Sequence, residues 1–412
     1  MTNMTANSDN AAVVSFDQVE RRLRLDWGTG EHVQIPFIWL RHARFFPLMG
    51  RPEQLDPREH LLPEEPSELQ IETARVSAGE LIVEWRQGRG ETRHQLAALR
   101  DFNGASTESH QSGHQPITWL TRDALNFQYF DAADIEDPAR RLDLFVQLRD
   151  YGIALVSGLS AEPGTLESVA KHFGPVRRTH FGELFDIRSR PEDQDGSGQN
   201  IGATAANSQA PHSDETWRHS PPGISLFHCL LAHPGGEGAS IFVDGIGAAQ
   251  ALKQQNPESF KLLASTPLLF NAERNAQERF SARSTVIAID SDDQIRGIRI
   301  TDRTLPPLDL PIALIEPAYR ALNEFYRLLL SPQRCFECLL KPGQMIVFDN
   351  HRVLHGRRAF DPLGGERWLQ QLSVDREEFQ NRLRQLAEAQ GRSDIARWQQ
   401  DGGALSVPRG KL

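Results

Sequence analysis

Apolar and polar residues alternate in short runs over the first hundred positions. The runs at Arg22–Trp27, His32–Trp39, Leu69–Arg75 and Leu81–Arg86 predict strands separated by Gly- and Pro-containing turns. Apolar residues then nearly vanish in DFNGASTESHQSGHQP, residues 101–116, the composition of a linker. The pattern therefore divides the chain into a small β-rich segment at 1–104, a linker at 105–116 and a larger domain at 117–412.

Beyond the linker the periodicity is mixed. Helical spacing over Leu142–Arg149 runs into a strand at Tyr151–Gly158, and a second helix follows from Thr165 to Phe173. Further strands are predicted at Ile224–Leu231, Ser240–Val243, Val286–Asp290, Ile295–Ile300, Met345–Asp349, Arg352–Ala359 and Arg367–Val374. Two longer helices, 245–264 and 312–330, interrupt them, and Phe379, Leu383 and Leu386 mark an amphipathic helix near the end. Many short strands with a few helices point to a β-sandwich or barrel braced by helices, not to alternating βαβ units.

Composition narrows the class. Of 412 residues, 39% are apolar and 24% charged, as in a folded soluble protein, and no run is long enough to span a bilayer. A net charge of −10 disfavours a phosphate-backbone partner, so small molecules are the expected ligands and neither nucleic acid nor membrane is expected to bind. Three cysteines, Cys229, Cys335 and Cys338, cannot build a disulfide framework and suit the reducing cytoplasm. Phosphate-binding Gly loops, dinucleotide fingerprints and the Gly-x-Ser-x-Gly elbow are all missing. Cys335-Phe-Glu-Cys338 has half of a zinc or redox spacing, but there is no second pair, and it reads as two structural thiols.

Candidate chemistry gathers in two places. In Ala210-Pro-His-Ser-Asp-Glu215, His212 is the only histidine of 14 followed two residues later by Asp, and on extended backbone His212 and Asp214 share a face. His355 lies in Gly343-Gln-Met-Ile-Val-Phe-Asp-Asn-His-Arg-Val-Leu-His-Gly356, after a strand that ends near Asp349 and Asn350, residues able to brace it. Two histidines and one carboxylate form a facial triad that leaves positions of an Fe(II) ion open, enough for a chelating cosubstrate and O2. Zinc gains nothing from the extra openings. A 2-oxo acid needs a cation for its far carboxylate, and the turn Asp361-Pro-Leu-Gly-Gly365 is expected to fold Arg367 back along the strand carrying His355, placing ligand and anion clamp on paired strands.

His212-x-Asp214, the distant His355 and Arg367 resemble the Fe(II)/2-oxoglutarate-dependent dioxygenases. The blocks Phe181–Ser189, Ser220–Cys229, Gly235-Gly236 with Ser240–Gly245, and Phe348–Arg357, together with Trp39-Leu-Arg41, are similar to the γ-butyrobetaine hydroxylase and trimethyllysine dioxygenase family over nearly the whole chain. The resemblance implies a double-stranded β-helix (jelly roll) core, a small amino-terminal domain used in dimerisation, and hydroxylation of an unactivated C–H bond with release of succinate and CO2. It implies iron on His212, Asp214 and His355, and 2-oxoglutarate on Arg367 with help from Ser240.

Two departures bear on zinc and substrate. The family's amino-terminal Cys-x-Cys-x-x-Cys zinc run is replaced by Arg44, Phe46 and Met49, no cysteine precedes Cys229, and no structural zinc is expected. Phe181 and Phe185 keep two aromatic positions of a trimethylammonium cage, whereas Thr204 and Ser373 stand where cage tyrosines would be. Thr204, Asn207, Glu215 and Ser373 then define a more polar pocket, suited to an amino acid, amine, betaine or phosphonate-like metabolite. The same centre could instead desaturate, epoxidise or cleave its substrate, and a non-catalytic sensor of iron and 2-oxoglutarate is the alternative from another class. Asp214 disfavours a halogenase, which needs Ala or Gly there.

Overall fold

The computed structural model describes residues 12–43 except 29, 65–100, 115–190 except 125, 180 and 181, 207–273, 279–290, 293–392 and 395. Two compact units divide the chain, one of residues 1–112 with 403–412 and the other of 113–402. The expected linker, 105–116, and the Arg44–Met49 segment lie largely or wholly outside the described residues.

The first unit contains two antiparallel three-stranded meanders, β1 (Val13–Asp17), β2 (Arg22–Asp26) and β3 (His32–Pro36), then β4 (Ile71–Ser77), β5 (Glu80–Trp85) and β6 (Glu91–Gln95). Strict alternation buries Leu23, Leu25, Val33 and Ile35 against Ile71, Leu81 and Val83. The strand expected to continue to Trp39 stops at Pro36, and Phe37–Ala43 is a helix. Proline cannot extend the ladder, and the spacing of Phe37 and Leu40 buries one helical face.

In the second unit eight strands form two facing sheets. They are β9 (Phe185–Ser189), β10 (Gln209–His212), β11 (Ile224–Leu231), β12 (Ser240–Asp244), β17 (Phe336–Cys338), β18 (Met345–Asp349), β19 (Val353–Arg357) and β20 (Arg367–Val374). One sheet runs β10-β19-β12-β17. The other runs β7-β8-β18-β11-β20-β9, where β7 (Tyr129–Asp131) and β8 (Ile153–Ser157) extend its edge. Successive core strands change sheet at every step except from β12 to β17, which are paired neighbours in the smaller sheet, the winding of a jelly roll with an insertion at that step. Two hairpins, β13 (Leu268–Glu273) with β14 (Arg279–Ser284) and β15 (Ile287–Ile289) with β16 (Ile295–Ile298), are inserted between β12 and β17.

Three apolar layers hold this arrangement. Phe227, Phe242, Phe336, Phe348 and Leu369 fill the space between the sheets. Helices Pro138–Tyr151, Thr165–Phe173 and Arg376–Ala389 cover the larger sheet through Phe145, Phe173 and Phe379. Residues Ile241, Val243 and Leu354 of the smaller sheet pack with helices Gly245–Gln255, Pro257–Ser265 and Ile312–Leu329. The single helix expected over 245–264 is two helices, because Asn256 caps the second one by accepting from the Ser259 amide and Pro257 opens it.

A buried ion pair fixes the turn that leads into β19. Arg352 bonds Asp244 through Nε at 3.2 Å and Nη2 at 3.1 Å, and also donates to the carbonyls of Asp150 and Ile117 at 2.7 and 2.6 Å. Both side chains are shut off from water, so the charges are tolerable only with this full set of hydrogen bonds.

Candidate active site

His212 and His355 are register partners on β10 and β19. The strands approach this closely because position 356 is glycine, where a Cβ would lie 2.6 Å from the carbonyl oxygen of Gln209. His212 Nδ1 lies 2.9 Å from the Ala210 carbonyl, so Nδ1 carries the proton and Nε2 presents its lone pair inward. His355 is held between Phe227 and Phe348, with ring centroids 5.2 and 5.0 Å away.

Asp214 reaches the same point by a different route from strand alternation. β10 ends at His212 and Asp214 begins the following turn. Asn350 fixes that turn, accepting from the Asp214 amide at 2.8 Å and donating to the carbonyls of Asp214 and Pro222 at 3.3 and 3.0 Å. Gln371 Nε2 then donates to Asp214 Oδ2 at 2.7 Å and turns Oδ1 toward the imidazoles, 3.6 Å from His212 Nε2 and 3.5 Å from His355 Nε2.

The donor atoms of His212, Asp214 and His355 lie within 4.8 Å of one another. Burial pushes the His355 imidazole down to about 3. Burial also pushes the Asp214 carboxyl up, but His355, His212 and the Gln371 amide outweigh it and hold the carboxyl well below its ordinary range. Near neutral pH the cluster therefore offers one carboxylate and a neutral His355 imidazole, the protonation state a divalent ion requires. Two nitrogen donors and one oxygen donor on one side of a cavity fit Fe(II) with its remaining positions open.

That cavity, about 100 Å³ and open to solvent, also admits Ser240, Arg303, Arg357 and Arg367, between apolar walls of Phe185, Ile187, Phe227 and Leu369. Arg367 is only 6% exposed and has no carboxylate partner among the described residues, and burial pushes its guanidinium down to about 10. A buried guanidinium without a counter-ion favours an anionic ligand, and a 2-oxo dicarboxylate fits this requirement. Arg367 does not sit on a strand paired with β19, because the chain crosses to the other sheet after Asp361–Gly365, and β20 pairs with β11 and β9. The clamp therefore belongs to the opposite wall from His355.

Phe185 and Ser240 line the cavity. Ser373 is buried with its hydroxyl 3.3 Å from that of Ser225, Glu215 is buried in an ion pair with Arg218, and Asn207 is exposed with its carbonyl accepting from Arg357 at 3.1 Å. None of these three is among the cavity-lining residues. Phe181 and Thr204 lie outside the described residues. His228 is fully buried in β11 and is not among the lining residues, whereas its neighbour Phe227 is. Sequence reasoning overlooked Gln371, Arg303 and Arg357. Gln371 was readable, since it lies four residues after Arg367 on one strand face, but Arg303 stands in an irregular bend without periodicity.

Residues 114–373, more than half of the chain, match the taurine catabolism dioxygenase TauD, TfdA family. The chain belongs to this family. It is an Fe(II)/2-oxoglutarate-dependent dioxygenase. Among TauD/TfdA-like relatives, γ-butyrobetaine dioxygenase of Pseudomonas sp. (strain AK-1) is 32% identical over 326 residues, 78% of this chain and 83% of that protein. Trimethyllysine dioxygenase of Meyerozyma guilliermondii is 26% identical over 281 residues, 65% of this chain and 67% of that protein. A solved asparagine oxygenase in complex with Fe(II), 2S,3S-3-hydroxyasparagine and succinate aligns with a TM-score of 0.47 at 17% identity, covering 64% of this chain and 94% of that one.

Proposed function

We propose that iron bound by His212, Asp214 and His355, with 2-oxoglutarate anchored by Arg367 and assisted by Ser240, hydroxylates an unactivated C–H bond of a small zwitterionic or polar metabolite. The observation that carries this reading is the opening of the three donors and the Arg367 guanidinium, which has no carboxylate partner among the described residues, onto one cavity. Bound iron and 2-oxoglutarate supply the oxidising chemistry, in which the oxo acid leaves as succinate and CO2 and the substrate gains a hydroxyl group.

The chain's own residues set the geometry. Arg367 grips the far carboxylate of the oxo acid through its planar fork, and Ser240, in the same cavity, offers a hydroxyl to it. Gln371 keeps one Asp214 oxygen occupied so that the other faces the metal. Phe185, Ile187, Phe227 and Leu369 give the cavity its apolar walls, against which the carbon chain of a substrate can pack. None of the four tyrosines, Tyr129, Tyr151, Tyr319 and Tyr326, lines the cavity, which supports a polar substrate over a caged trimethylammonium group.

We read residues 117–412 as the catalytic domain and 1–104 as an accessory β-rich domain through which the chain forms a homodimer, the latter on the resemblance alone. The three unpaired cysteines support a cytoplasmic location. Among the described residues, no helix is long and apolar enough to cross a membrane. Succinate release with Fe(II), 2-oxoglutarate and a panel of zwitterions tests the function. Release that requires O2 and rises above the uncoupled rate with one panel member is expected. Turnover without O2, or none with any member, would contradict it.

A further inference from the structure

Among the described residues lining the cavity, Asp214 carries the only negative charge, against three guanidiniums. Asp214 is committed to the metal and Arg367 to the oxo acid. Arg357 is engaged locally, donating to the Asn207 carbonyl at 3.1 Å and lying over the Phe360 ring at 4.4 Å. Iron and 2-oxoglutarate bring opposite and equal charges, so loading them leaves this positive excess in place.

Arg303 differs from the other two. It stands in an exposed bend at the cavity mouth, and its guanidinium reaches inward to place Nη2 2.6 Å from His212 Nε2. Among the described residues it has no ion-pair partner. The Nε2 lone pair that receives this hydrogen bond is the one a metal ion needs, and a single lone pair cannot serve both. A metal ion held by His212 would take that lone pair and leave the Arg303 guanidinium free beside the first iron ligand, in a cavity with apolar walls and no free carboxylate among its described lining residues.

We infer that Arg303 binds an oxyanion, a carboxylate or phosphonate, of the primary substrate, so that the enzyme selects acids over neutral or purely cationic molecules. This rests on the reading of the site given above. It places the substrate's acid group next to His212 and orients the rest of the molecule along the apolar wall, and it makes Arg303 a specificity-determining binding residue.

The test uses the full chain and a panel of straight-chain ω-amino acids, the matching aminoalkylphosphonates and the matching ω-amino carboxamides. Binding to protein loaded with Mn(II) and 2-oxoglutarate is measured by calorimetry, alongside succinate release from the Fe(II) enzyme. Acids are expected to bind and their amides to bind roughly ten- to a hundredfold more weakly. Arg303→Gln should bring acid and amide to within about threefold of each other, and Arg303→Lys should restore part of the preference. A comparison of carboxylates with phosphonates identifies which oxyanion fits. Amides binding as tightly as acids, an unchanged preference in Arg303→Gln, or no binding by any acid would overturn the inference. If 2-oxoglutarate itself fails to bind the Mn(II)-loaded protein, the reading of the site falls and the inference with it; if 2-oxoglutarate binds while acids and amides behave alike, only the assignment of Arg303 falls.

Discussion

His212 and His355 face each other across one register position of β10 and β19, with ring centroids 4.4 Å apart. The two strands can lie this close only while residue 356 has no side chain. Gly356→Ala should force them apart, weakening metal affinity and destabilising the fold by about 1–3 kcal/mol, as overpacking does. Metal titration and chemical denaturation of the variant check both effects.

Gln371 lines the same cavity and meets the candidate ligands through a hydrogen bond to Asp214 Oδ2. Gln371→Leu keeps the volume close but removes the donor, so the carboxylate rotates more freely. Affinity for Mn(II) should fall about 10- to 100-fold with little change in thermal midpoint. Gln371→Glu, which adds a like charge beside Asp214, should raise the pH needed for metal binding.

Arg367 answers to a different ligand. Arg367→Gln should lower 2-oxoglutarate affinity by about 100-fold while metal content stays near that of the unaltered protein. Equilibrium titration of the Mn(II)-loaded variant measures the first quantity and elemental analysis the second.

The accessory unit carries its own pH dependence. His94 is buried beside Thr92, and burial pushes its imidazole down to about 4. The unfolded chain takes up the proton near pH 6.5 and the folded chain only near pH 4, so stability is fully present above about 6.5 and is lost as pH falls through this window. Between pH 7 and 5 the His94 contribution should be a loss of about 2 kcal/mol, absent in His94→Gln. Denaturation curves of the two proteins at both pH values give the difference.

The legibility of this protein in its sequence followed the physics of each signal. Short, largely apolar runs marked β11 and β18 because each is buried on both faces of its sheet, and the spacing of Leu322, Phe325 and Leu329 marked the helix Ile312–Leu329. His212, Asp214 and His355 stood out because metal chemistry restricts residue types. The means of their convergence did not, since Asn350 bracing the Asp214 turn is a tertiary contact with no local pattern, and Gln371, although its strand face could be read, meets Asp214 only through the folding of the chain. The side of the cavity on which Arg367 sits was also hidden, because a turn looks the same in sequence whether it pairs two strands or carries the chain between sheets. Arg303 was silent for a related reason: irregular backbone carries no periodicity from which to read a direction.

Iron content and succinate release measured together on the unaltered protein and on Asp214→Ala address the triad most directly. We predict about one iron per chain with O2-dependent conversion of 2-oxoglutarate to succinate in the first, and a folded protein that has lost nearly all of both in the second. Asp214→Ala that retained equimolar iron and turned over normally would contradict the account.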